Sequence, residues 1–215
     1  MEKPEPKITH RDLALIGERG RPFSDPGWVF EMKMDGFRVL AHAGAVPRLV
    51  SRNGTNLGPA FPEVVTALQT LPELVLDGEL VVLDAEGRPL FERLRRRFAM
   101  KAPHSVKAAS ATEPAVLFAF DLLGHGNRDW RPQPLLKRKA ALEKGLAGGD
   151  LVQYLSHVGE QGERLYEAVD GLGLEGIVAK PADSPYRKGR TSGWLKIKTP
   201  HGRLVDAERA KWNER

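Results

Sequence analysis

No cysteine occurs among the 215 residues, which excludes a disulfide framework and any thiolate zinc site. No apolar stretch approaches the length of a bilayer span, and Met1–His10 is charged without an apolar core, so the expectation is a soluble, non-exported protein. The six histidines, at 10, 42, 104, 125, 157 and 201, show no metal-ligand spacing. Internal repeats and sustained heptads are absent too, which excludes solenoids and coiled coils.

What is present is enough apolar residue, 41%, to bury a core in one large domain. The net charge is +5 and the pI about 9.5, a mild pointer to a polyanionic partner. The distribution is uneven. Arg187–Arg215 holds nine Lys or Arg against three acids, and Arg88–Lys107 holds seven against Glu92 alone, net +6 each. Either cluster taken alone reads as a solvated basic face; phosphate contact is the alternative.

Helical spacing appears in Pro62–Leu71, Leu135–Leu146, Gly162–Leu172 and the tail Leu204–Trp212, where Trp212 could staple the helix. Strand-like runs are Trp28–Lys33, Phe37–His42, Arg48–Arg52, Leu74–Leu83, Ala115–Leu123, Gly176–Lys180 and Trp194–Lys198. Ala102–Pro114 reads as a disordered excursion. Without a regular βαβ rhythm, the order of elements predicts an α+β fold with mainly antiparallel sheet.

Several strands carry charge where an ordinary strand would not. In Trp28-Val-Phe-Glu-Met-Lys33, alternation puts Glu31 and Lys33 on one face and Trp28, Phe30 and Met32 on the other. Asp35-Gly36 is a turn signal, and on this segment alone an amphipathic hairpin with an exposed ion pair is the favoured reading. Asp77 and Glu79 share a face of an otherwise apolar run, and burying such charge requires a partner such as a metal ion, a ribose hydroxyl or a lysine. Lys196 and Lys198 share a face and repel each other, which calls for a wet surface or an anion between them. Glu175 and Lys180 fall on opposite faces of a regular strand, so both reach one site only if Gly176 bends the chain or they do different jobs.

Taken in order, Glu31-Met-Lys33-Met-Asp35-Gly36-Phe-Arg38, Ser51-Arg52-Asn53-Gly54, Asp77-Gly78-Glu79, Phe118-Ala-Phe120-Asp121, Glu175-Gly-Ile-Val-Ala-Lys180 and Lys196-Ile-Lys198 resemble the motif set of the covalent nucleotidyltransferase superfamily. Glu31-Met-Lys33, Phe120-Asp121-Leu-Leu and Pro134-Leu-Leu-Lys-Arg-Lys139 are similar to ATP-dependent DNA ligases of the bacterial end-joining type. The resemblance implies an ATP-grasp-like nucleotidyltransferase domain, its mainly antiparallel sheets flanked by helices and an ATP pocket between them. It would occupy residues 1–200, with 201–215 a short basic C-terminal helix and no OB-fold.

The resemblance also implies roles. Lys33 attacks the α-phosphate of ATP, releasing pyrophosphate and leaving lysyl-AMP, which is then passed to a 5'-phosphate of nicked DNA. A free lysine has a pKa of about 10.4, and Lys196, Lys198, Arg52 and a divalent metal would favour its neutral form. Lys196 and Lys198 neutralise charge on the α-phosphate. Glu79 and Glu175 hold Mg²⁺ (or Mn²⁺) or contact the ribose. Phe120 stacks on adenine, Glu31 takes its exocyclic amine, and Arg38 belongs to the nucleotide-binding set. Arg52 contacts ribose or the phosphate of a nicked strand, Asp35 orients the loop, and Lys180 makes phosphate or adenine-side contacts.

The partner implied is nicked or broken duplex DNA, with no membrane, for a monomer in the bacterial cytoplasm at the nucleoid; the chain is either a fragment of a longer ligase or a stand-alone domain, for which an OB-fold in trans is a candidate partner. Two other readings are an RNA ligase-like nucleotidyltransferase and a non-catalytic module that binds nicked DNA or nucleotide.

Overall fold

The computed structural model describes residues 7–189 and 193–213, with side chains described up to 206. Among the described residues, eleven strands form two sheets. The first has five strands in the order β1 (Gly17–Glu18), β11 (Leu195–Lys198), β10 (Gly176–Pro181), β2 (Asp25–Met32) and β9 (Val158–Glu160). The second runs β4 (Arg48–Ser51), β3 (Phe37–His42), β5 (Leu74–Val82), β6 (Ala115–His125) and β7 (Arg128–Asp129), with β8 (Val152–Tyr154) also on β6. Among the described strands only β1 with β11 and β6 with β8 are parallel pairs, so the α+β, mainly antiparallel expectation holds.

Alternation along the strands sorts residues into three apolar layers. Val39 and Ala41 of β3, with Leu117 and Ala119 of β6, pack under α1 (Pro62–Gln69), α2 (Phe91–Ala99) and α4 (Leu135–Gly145). Their neighbours Leu40, Val116 and Phe120 face the other way, toward Met34, Tyr186 and Trp194. The outer side of the five-stranded sheet buries Phe30, Ile177 and Ile197 against Val169 of α5 (Gly162–Gly171).

Three expectations are corrected. β2 and β3 do not form a hairpin: β2 pairs with β10 and β9, β3 with β4 and β5. A turn signal marks where a chain changes direction, not which sheet receives it. Gly36 makes the passage, because a Cβ there would lie 2.1 Å from the Leu80 carbonyl oxygen. Ala102–Pro114 is no excursion but the helix α3 (Pro103–Thr112), with Pro103 in its first turn and Val106 and Ala109 buried. The Arg88–Lys107 cluster is not simply a solvated face either. Arg97 is fully buried, donating to Ala60 O at 3.0 Å and to Glu63 Oε1 at 2.9 Å, and Arg96 pairs with Glu113 at 2.7 Å. The tail folds as α6 (Pro200–Asn213), while the side chain of Trp212 lies outside the described residues. No helix among the described residues is long and apolar enough to cross a membrane.

Candidate functional site between the two sheets

Lys33 follows β2 directly, on the segment that leaves one sheet for the other, and its amide donates to Gly176 O at 2.8 Å. That bond seats it beside Glu175, which accepts from Lys33 Nζ at 2.8 Å. Gly176 has φ 150, where a Cβ would meet the Ile197 carbonyl oxygen at 2.3 Å. With the strand irregular at this point, Glu175 reaches Lys33 while Val178 and Lys180, further along β10, line the cleft.

The cleft encloses about 410 Å³ counting its open mouth, and Lys33, Glu31, Arg38, Glu79, Phe120 and Lys180 all border it. Trp194, 1% exposed, forms part of the wall and meets Phe120 edge to face at 6.0 Å. On the floor, Glu31 is 2% exposed, with Lys139 Nζ 2.6 Å from one oxygen and Lys180 Nζ 2.6 Å from the other. Burial opposes ionisation of Glu31, but the two ammonium groups outweigh it and hold its pKa below the usual value. Lys180 is shifted down, because desolvation and the nearby Lys139 charge outweigh its attraction to Glu31. Its ammonium also lies 4.3 Å from the Phe120 ring centroid and 4.1 Å from that of Trp194.

Asp77 and Glu79, on one face of β5, take different partners. Asp77 is fully buried and receives Arg38 through both oxygens, at 3.0 and 2.7 Å, and the Tyr186 hydroxyl at 2.6 Å. Arg38 also donates to Ala14 O at 2.7 Å, which closes this structural knot behind the cleft. Glu79 instead looks toward Lys33, and desolvation pushes its pKa up to about 7 against the pull of Lys33 and Arg38. Among the described residues no cluster of three or more His, Cys, Asp or Glu could hold a metal ion. Two carboxylates flanking Lys33 fit a different arrangement, a hard cation held by one or two carboxylates, waters and substrate phosphate oxygens.

The raised Glu79 pKa makes a prediction. Its ordinary value is 4.5, so the folded protein keeps the proton longer than the unfolded chain, and stability present below pH 4.5 is lost as pH rises through 7. Without metal, Glu79→Gln is expected to melt a few degrees above the parent at pH 8 and level with it at pH 4.5. Thermal melts in chelator at both pH values check this; equal differences at both would refute it.

Lys196 and Lys198 do not stand as a bare repulsive pair. Lys196 contacts Glu18 at 3.2 Å; Lys198 contacts Glu175 at 3.4 Å and, from α6, Asp206. Each ammonium therefore has its own carboxylate partner rather than one anion shared between the two. Neither lines the cleft. Arg52 is exposed at the end of β4, where its amide donates to Arg38 O at 2.9 Å, and it lies outside the cleft lining as well. Asp35 borders a second small pocket with Lys33, Glu175 and His201.

Lys139 was not foreseen as a site residue. The signal was there: Leu135, Arg138, Lys139 and Leu142 are the buried positions of α4, so cations occupy two places on its core-facing stripe.

Two antiparallel sheets that meet at a cleft, with a lysine at its mouth and a carboxylate and aromatic rings behind, define the nucleotidyltransferase class of fold. The family described as ATP dependent DNA ligase domain matches residues 16–198, and the chain belongs to it. It is 36% identical over 177 residues to the multifunctional non-homologous end joining protein LigD of Pseudomonas aeruginosa, covering 80% of this chain and 20% of that protein. It is also 36% identical over 187 residues to DNA ligase C2 of Mycolicibacterium smegmatis, covering 84% and 51%. The ligase domain of M. tuberculosis LigD superposes with a TM-score of 0.73 at 26% identity, over 89% of this chain and 60% of that one. A mycobacterial DNA ligase D complexed with ATP and MES gives a TM-score of 0.72 at 26% identity, over 89% and 61%. The chain thus spans about half or less of the length of these two curated relatives. Membership makes it an ATP dependent DNA ligase domain, and ATP use follows from the family.

Proposed function

We propose that Lys33 is the covalent nucleophile of this domain. Its Nζ attacks the α-phosphate of ATP, the bond to the β-phosphate oxygen breaks, pyrophosphate leaves, and a phosphoramidate-linked AMP remains on the lysine. The observation that carries this reading is the position of Lys33 at the cleft mouth, bonded to Glu175 and facing Glu79, with Glu31 and Phe120 behind it. Adenine enters against Phe120, its exocyclic amine toward Glu31, with Lys180 on the same side.

Glu79 and Glu175 would hold Mg²⁺ or Mn²⁺, whose charge favours the neutral amine of Lys33 and screens the phosphates. Lys196 and Lys198 face the α-phosphate once nucleotide competes with their carboxylate partners, Arg52 meets ribose or a strand phosphate, and Asp35 shapes the loop. Residues 1–200 make up this unit and 201–215 its tail. The AMP is then handed to the 5'-phosphate of nicked or broken duplex DNA, in repair or end joining at the bacterial nucleoid, by a monomer.

Intact-mass measurement after incubation with ATP and Mg²⁺ tests the reading. A gain of one AMP, lost on acid treatment as a phosphoramidate requires, is the expected result. No gain, even with an OB-fold domain of a related ligase added, would count against it.

A further inference from the structure

We infer that Lys139 is a positioning residue that sets the base preference of the cleft by fixing the carboxylate plane of Glu31. This inference rests on the adenine-reading role proposed for Glu31. Lys139 does not line the cleft, whereas Lys180 does, so Lys139 acts on a nucleotide through the cleft residues it holds, and its shortest contact is with Glu31. Its ammonium is 1% exposed and has three acceptors for its three donors: Glu31 Oε1 at 2.6 Å, Phe120 O at 3.3 Å and Leu155 O at 3.3 Å. The Tyr154 ring lies under it at 4.8 Å. The backbone that delivers it is equally fixed, because the adjacent Arg138 of α4 grips the buried Asp121 of β6.

A single cation would neutralise Glu31. Burying the second lysine costs desolvation, and charge balance therefore does not explain it. Geometry does. A carboxylate held through one oxygen can turn about its Cγ–Cδ bond; Glu31 is hydrogen-bonded by Lys139 at one oxygen and ion-paired with Lys180 at 2.6 Å at the other, which opposes that turn. Its remaining lone pairs then keep one direction, suited to the N–H of a 6-aminopurine and repulsive to the oxygen of a 6-oxopurine. Sites built on a fixed hydrogen bond discriminate far better than those relying on shape.

The test is equilibrium binding of α,β-methylene ATP and α,β-methylene GTP, which cannot be cleaved at the reacting bond, to the full chain and to E31Q, K139M, K139Q and K139R. The parent is expected to prefer the adenine nucleotide, E31Q to lose that preference, K139M and K139Q to lose at least tenfold of it through weaker adenine binding, and K139R to keep most of it. A merely structural role for Lys139 would weaken both nucleotides alike. K139Q stands in if K139M lacks a native melt. Preference intact in the neutral variants but lost in E31Q overturns the inference alone. No preference in the parent, or none lost in E31Q, overturns the reading of Glu31 beneath it.

Discussion

Lys33→Arg is expected to abolish AMP transfer while leaving ATP binding within a few-fold of the parent. The guanidinium keeps the positive charge that Glu175 contacts at 2.8 Å, so the electrostatics at the cleft mouth persist. It does not lose its proton in a protein, however, and so offers no lone pair to phosphorus. The loss should be on the order of 10⁶-fold, as when another covalent nucleophile is removed. Lys33→Ala should be equally dead but should also bind ATP differently, since Glu175 and Glu79 lose a cation between them. Intact-mass and binding measurements on both variants separate chemistry from affinity. A residual adduct on Lys33→Arg would move the nucleophile to another residue.

The largest expected effect on stability is at Asp121. It and Arg138 are both fully buried, joined by contacts of 2.6 and 2.9 Å, and the guanidinium also holds Ser184 O at 2.9 Å. Asp121→Ala leaves that guanidinium charged in the interior, a change that costs about 3–5 kcal/mol in comparable cases. For a chain of this size, melting should fall by roughly 6–20 °C. The double variant Asp121→Leu, Arg138→Met removes both charges and is expected to recover most of the loss. If Asp121→Ala melts within about 2 °C of the parent, the pair does not anchor α4. In the sequence Asp121 reads as one member of a motif; in the fold it secures the helix that brings Lys139 to Glu31.

Seven of the eleven described strands and four of the six α-helices were legible because their apolar spacing is set locally, whereas β1, β7, β8 and β9, of two or three residues each, are too short to carry a pattern. Phe37–His42 was delimited to the residue, and α4 and α5 to within one residue at each end. Parity placed Glu31 and Lys33 on one face of the strand that borders the cleft. Two helices were missed between residues 91 and 112. Phe91, Leu94 and Phe98 have helical spacing, but the arginines between them drew attention to charge, and burial of Arg97 depends on Glu63, a residue 34 positions earlier. Partnerships across long separations were not legible. Lys139 with Glu31 spans 108 residues and Tyr186 with Asp77 spans 109, and local pattern carries no information about which distant side chain will answer a buried charge.

The assignment of β2 and β3 to different sheets has a further consequence. Glu175 directly precedes β10 of one sheet and Glu79 lies in β5 of the other, while Lys33 sits on the strip of chain between the sheets. The spacing of the reacting groups is therefore a property of the seam, not of either core. Slippage of about 1 Å is enough to slow a positioned reaction by roughly 10²-fold. As temperature rises, the chemistry should fail first and the fold later, with the upper working temperature set by how tightly the two sheets hold their alignment.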